Sequence, residues 1–143
     1  MASTSEKFPV KNKQAARTVQ GMHTEVLVSS YADKIFIVVS QYGRIGSLIH
    51  TTFDIPPNLA RNSNAFPTTS RFLMNSASNA LSSLYQLYAS SISQLIASMD
   101  PKEGRPVILG IALKDKDDNQ ARKELHDIIL DMVRESATWV TAQ

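Results

Sequence analysis

Residues Ile35 to Val39 read IFIVV, five apolar residues in a row with no polar alternation. A β-strand of this kind is oily on both faces and wants cover on both. RPVILGIALK, residues 105–114, repeats the pattern. These two segments constrain the fold more than any other feature, because the rest of the chain must supply cover for a sheet that contains them.

The available cover is two helices. Leu81, Leu84, Tyr85, Tyr88, Ile92, Leu95, Ile96 and Met99 recur every three or four residues, the spacing of an amphipathic helix. Ser78 or Asn79 can cap its start, and Asp100-Pro101 ends it, because the residue before proline avoids helical geometry. Serines fill its polar side. A second helix follows KDKDDNQ, with Asp117 or Asp118 as N-cap and an apolar stripe of Ala121, Leu125, Ile128, Ile129, Met132 and Val133.

Further strands are expected at about 15–21, 24–31, 34–41, 44–51 and 68–75. Ala32-Asp33 and Tyr42-Gly43 serve as two-residue hairpin links, the commonest length, and Gly43 supplies positive φ. Gly46 gives room for a helix or neighbouring strand to approach closely. The prolines and asparagines of residues 53–67 forbid a regular element, leaving a long loop. The order is therefore β-β-β-β-β-α-β-α. This is an α+β fold, a single mostly antiparallel sheet of about six strands with two helices on one face.

The Ala32-Asp33 turn opposes Leu27 to Val38 and Ser29 to Phe36, and opposed residues share a face. One face collects Val26, Val28, Ile35, Ile37 and Val39, purely aliphatic, and belongs under the helices. The other collects Glu25, Leu27, Ser29, Tyr31, Lys34, Phe36, Val38 and Ser40. Treating Tyr42-Gly43 as a hairpin adds Ile45, Ser47 and Ile49 to it. Large apolar groups set among small polar ones are typical of a protein–protein interface and exceed what monomers usually expose. The expectation is a sheet-to-sheet dimer whose partner-binding residues are Leu27, Ser29, Tyr31, Phe36, Val38, Ile45 and Ile49. The alternatives are a solvated sheet, or one covered by the 53–67 loop.

Charge and composition narrow the function. The pI near 9.0 comes from residues 1–17, where Lys7, Lys11, Lys13 and Arg17 against Glu6 leave a net +3, while the remainder is net −1. The division expected is a flexible basic arm at 1–13 and one α+β domain at 14–143, with no nucleic-acid-binding body. No cysteine is present, so disulfides and thiol catalysis are excluded. No apolar leader or membrane-length segment is visible, which points to a soluble intracellular protein.

Catalytic signatures are missing. His23, His50 and His126 lack metal-ligand spacing. Glu124, Asp127 and Asp131 line one helical side, as a solvated helix would. GRIG, from Gly43 to Gly46, matches the GxxG of RNA-binding KH domains, but that loop joins two helices and this one joins strands. Neither an enzyme nor a cofactor, metal or nucleic-acid site is expected.

TEVLVSSYADKIFIVVSQYGRIGSL (24–48), RPVILGIALKDKD (105–117) and the helix closing near Trp139 together resemble the proteasome assembly chaperone 3 family. The resemblance implies a non-enzymatic chaperone of the cytoplasm, with the nucleus left open. It implies pairing with a related fourth proteasome assembly chaperone, or with itself, sheet against sheet. It also implies binding of proteasome alpha-type subunits and promotion of the 20S alpha ring, with no cofactor, nucleic acid or membrane involved. The residues alone fit equally a dimeric α+β interaction scaffold unrelated to the proteasome.

Overall fold

The computed structural model describes residues 11–43, 46–53, 68–74, 79–100, 103–114 and 118–139. Six strands form one sheet: β1 (Lys11–Val19), β2 (Met22–Ser30), β3 (Ile35–Ser40), β4 (Ser47–Phe53), β5 (Thr68–Met74) and β6 (Val107–Ala112). Two helices accompany them, α1 (Asn79–Met99) and α2 (Asn119–Glu135). Elements therefore follow the order expected, and the sheet is mostly antiparallel, with β3–β6 the one parallel pair.

The sheet order is β1-β2-β3-β6-β4-β5. The two all-apolar segments are its two central strands, each paired along both edges and covered on one face by the helices. The β2–β3 hairpin has the register anticipated, with Leu27 opposite Val38 and Ser29 opposite Phe36. Its two-residue turn closes through Tyr31 N–H donating to the Lys34 carbonyl at 2.8 Å.

The second hairpin does not form. β6 lies between β3 and β4, so Tyr42-Gly43 turns the chain across the end of β6 instead of folding β4 back onto β3. Gly43 has the positive φ expected, +74°. The crossing is fastened to β6 by Gln41 N–H donating to the Ala112 carbonyl at 2.8 Å, and by Lys114 N–H donating to Gln41 Oε1 at 2.9 Å. Gly46 passes so near that a Cβ there would sit 2.8 Å from the Ile111 carbonyl oxygen and 2.9 Å from Ala112 Cβ. The close approach expected of Gly46 is therefore to β6.

Both helices pack on the same face. Val26, Val28, Ile35, Ile37, Val39, Leu109 and Ile111 from the sheet are fully buried beneath them. From α1 come Tyr85, Tyr88, Ile92 and Ile96, and from α2 Leu125, Ile129, Met132 and Val133. Tyr85 ties α1 to the end of β6: its hydroxyl donates to the Leu113 carbonyl and accepts from Leu113 N–H at 3.0 Å. Asp118 caps α2 by accepting from Gln120 N–H at 3.0 Å. Trp139 closes the core after α2.

Lys11, Lys13 and Arg17 stand in β1, so two of the three lysines in the 1–13 segment expected to be an arm belong to the sheet. Arg17 is spent on α2, pairing with Asp131 at 3.4 Å and with Glu135. Residues 1–10 of the expected arm, Ser78 as a cap, residues 54–67 of the loop and Asp117 lie outside the described residues.

Candidate functional site

The side of the sheet away from the helices carries no element among the described residues. Following the pairing from β1 to β5, its three principal rungs are Ala16, Glu25, Ser40 and Ala112; then Gln14, Leu27, Val38, Gly110, Leu48 and Met74; then Asn12, Ser29, Phe36, Ile108, His50 and Arg71. Apolar groups of β2, β3, β6 and β4 hold the middle. Formal charge stays at the ends, with Glu25 on β2 and Arg71 on β5, and among the described residues β3, β6 and β4 contribute none to it.

Leu27, Phe36 and Val38 sit on this open face as expected, each half-buried by its neighbours along the pleat. Ser29 is there too, buried between strands, its hydroxyl donating to Asn12 Oδ1. Tyr31 continues the alternation just past β2, with Lys34 Nζ 5.4 Å above its ring. Ile45 lies outside the described residues.

Ile49 is a correction. It pairs with Leu109, which pairs with Ile37, and all three are fully buried under the helices. Ser47 goes the same way, opposite Ile111. The reason is the intervening strand: β4 takes its phase from β6, so its open-face residues are Leu48, His50 and Thr52. A one-residue change of phase moves every side chain to the other face.

Leu48, His50, Ile108, Gly110 and Met74 were missed by sequence reasoning. Unbroken apolar runs such as VILGIA carry no alternation from which to read a face. The parallel pairing of Phe36 with Ile108 supplies the phase.

At one end of the sheet an ion pair braces the β2–β3 hairpin. Arg105 Nε donates to Glu103 Oε2 at 2.7 Å and Arg105 Nη2 to Glu103 Oε1 at 2.8 Å, while Arg105 Nη1 reaches the Tyr31 carbonyl at 2.7 Å. Burial works to raise the Glu103 carboxyl, and the Arg105 hydrogen bonds outweigh it, holding the group below the usual glutamate range. On the helix side His126 Nε2 lies 3.1 Å from the Ser91 hydroxyl, and its ring packs against Tyr88 with centroids 4.9 Å apart. His23 is 2.9 Å from Glu25. Thus the three histidines occupy separate places, and no cluster of three or more metal-ligating side chains occurs among the described residues.

The family model for proteasome assembly chaperone 3 matches residues 37–132, two-thirds of the chain. The chain belongs to the proteasome assembly chaperone 3 family. The match runs from within β3, starting one residue after Phe36, into α2, and so includes β4, β6 and most of β3. A proteasome assembly chaperone 3 from Nematostella vectensis is 30% identical over 107 residues, covering 71% of this chain and 74% of that one. The one from Mus musculus is 30% identical over 108 residues, covering 75% and 80%. The human one is 27% identical over 121 residues, covering 84% and 90%. Among solved structures, a chain in the crystal structure of a chaperone complex for yeast 20S proteasome assembly superposes with a TM-score of 0.56. It is 12% identical, with 87% of this chain and 98% of that chain covered, which establishes a shared fold.

Proposed function

We propose that this chain is a non-enzymatic assembly factor whose open sheet face is covered by a second chaperone chain, either a related fourth proteasome assembly chaperone or another copy. The pair then holds an alpha-type subunit while the alpha ring of the 20S proteasome is built. The observation that carries the reading is a nearly uncharged, apolar sheet face left uncovered by both helices in a member of this family. Burying such a face is driven by the hydrophobic effect and needs no nucleotide. The fold neighbour comes from a chaperone complex for proteasome assembly, which is consistent with pairing.

Two measurements test the reading. Sedimentation of the full chain at micromolar concentration should give a pair, alone or with the related chaperone, and Phe36→Asp should weaken pairing by more than about 30-fold, the effect of losing one interface hot spot. Capture of the intact pair with purified 20S alpha-type subunits should recover an alpha-subunit complex without ATP. A chain that stays monomeric with every such partner, or a pair that ignores all alpha-type subunits, contradicts the proposal.

A further inference from the structure

We infer that the outer edge of β1 is a strand-addition site, suited to an acidic segment of a partner protein in extended form. It is independent of the proposed covering of the sheet face, because it uses the margin of the sheet and a different set of groups. Three observations carry it: a row of backbone groups turned outward, two lysines beside that row, and a charge pattern that turns away a second copy.

β1 pairs on one side only, with β2, over all nine of its residues and with no break in register. The direction of its backbone groups follows from the two hairpins. Gln20 and Gly21, which link β1 to β2, both have positive φ, +53° and +78°, as a type I′ turn requires. That turn makes Val19 and Met22 a hydrogen-bonded pair, and the alternation runs back through Arg17, Ala15, Lys13 and Lys11. The second hairpin agrees. Tyr31 N–H bonds the Lys34 carbonyl, so the odd residues of β2 serve β3 and the even ones serve β1. The N–H and C=O groups of Asn12, Gln14, Ala16 and Thr18 therefore point away from the sheet, and no described element pairs with them. A regular edge of this kind is a template for another strand. The opposite edge, β5, is interrupted by the register slip between Leu48 and Ile49, which disrupts the ladder.

The flanking side chains select the partner. Val19 is buried and Arg17 reaches α2, so the odd residues of β1 lie on the helix side. Lys11 and Lys13 stand on that side too, both exposed, and neither forms an ion pair or side-chain hydrogen bond among the described residues. In an antiparallel addition they occupy the non-hydrogen-bonded positions, where facing side chains come closest, with Cα atoms about 4.5 Å apart. Opposite charges facing each other there stabilise the pair, and like charges oppose it. On the other side Asn12, Gln14, Ala16 and Thr18 are uncharged. Arg17 is already engaged by Asp131 and Glu135, which confines the match with carboxylates to Lys11 and Lys13. A second copy of β1 fits poorly: in symmetric antiparallel registers centred on Gln14 or Ala15, Arg17 faces Lys11 or Lys13. Lysines on an edge discourage indiscriminate pairing, and here they leave an acidic strand as the one that fits.

The probe is a short fluorescein-labelled peptide of alternating valine and glutamate, added to the full chain and followed by anisotropy at low salt. It should bind saturably and more weakly as salt rises, while the same peptide with lysine in place of glutamate should not bind. Lys11→Glu combined with Lys13→Glu should lower affinity for the acidic peptide at least about tenfold and give the basic one the advantage. Ala16→Pro removes one outward N–H and leaves the β1–β2 ladder whole, so it should cost about tenfold in affinity with little change in melting or self-association. N-methylation of the valine amides removes the matching donors from the peptide without altering the protein. Absence of saturable binding overturns the inference, as does equal binding of the acidic and basic peptides. Binding that survives both Ala16→Pro and N-methylation means charge contact without strand pairing, and overturns it too. These readouts are separate from sedimentation, which reports whether the sheet face is paired.

Discussion

One sheet presents two faces made from alternate residues of the same strands, and they differ in kind. Under the helices lie Val26, Val28, Ile37, Val39 and Leu109, aliphatic and fully buried. Opposite them lie Leu27, Phe36, Val38 and Ile108, only partly covered and interleaved with Ser29, Gly110 and His50. The first is a core whose shape complement is already in the molecule. The second has a core-like middle, charges only at its ends, and no cover among the described residues. The difference teaches that what a face is for can be read from the residue types along a rung better than from burial, because pleated neighbours half-shield each other with or without a partner.

The sharpest way to break this comparison is a matched pair of truncations one residue apart on β3. Ile37→Ala removes a fully buried group from the helix side and should cost about 2–5 kcal/mol in denaturant unfolding. Val38→Ala, measured at concentrations low enough to dissociate any pair, should cost less than about 1 kcal/mol. Equal losses would mean that the open face is as structural as the covered one.

The next effect concerns the crossing that sets the phase of β4. Gly46→Ala should destabilise the fold by about 1–3 kcal/mol, since its Cβ meets β6 backbone that cannot easily move. A neutral result by thermal melting would loosen the account of why Ile49 faces the helices. Smaller again is the α2 cap. Asp118→Ala should cost about 1 kcal/mol and leave self-association unchanged, because it lies on the covered side.

The smallest effect is one of pH. In the folded chain the Glu103 carboxyl is held below the ordinary glutamate value by Arg105. The stabilisation it contributes is therefore complete above the unfolded-state value, near pH 4–5. It declines as the pH falls through the lower folded-state value. Wild type and Glu103→Gln should differ in melting temperature at neutral pH and converge as the medium is acidified. A difference that grows on acidification would contradict the sign.

Much of this was legible in the residues. The periodicity of α1 and α2, a cap at Asp117 or Asp118, the β2–β3 register and the purely aliphatic face all follow from local rules, because each depends on neighbours a few positions away. Phe36 and Val38 could be assigned to the open face for that reason. Ile49 could not, since its face depends on a strand that begins nearly sixty residues later in the chain.

Local chemistry thus determined which segments are strands and helices, and that two helices are too few for both sides of so apolar a sheet. Only the tertiary structure decided that β6 enters between β3 and β4, because the contest between a short hairpin and a central, doubly shielded strand is settled by long-range burial. That choice set the phase of β4, placed Ile49 in the core, and brought Leu48, Ile108 and Gly110 onto the face opposite the helices.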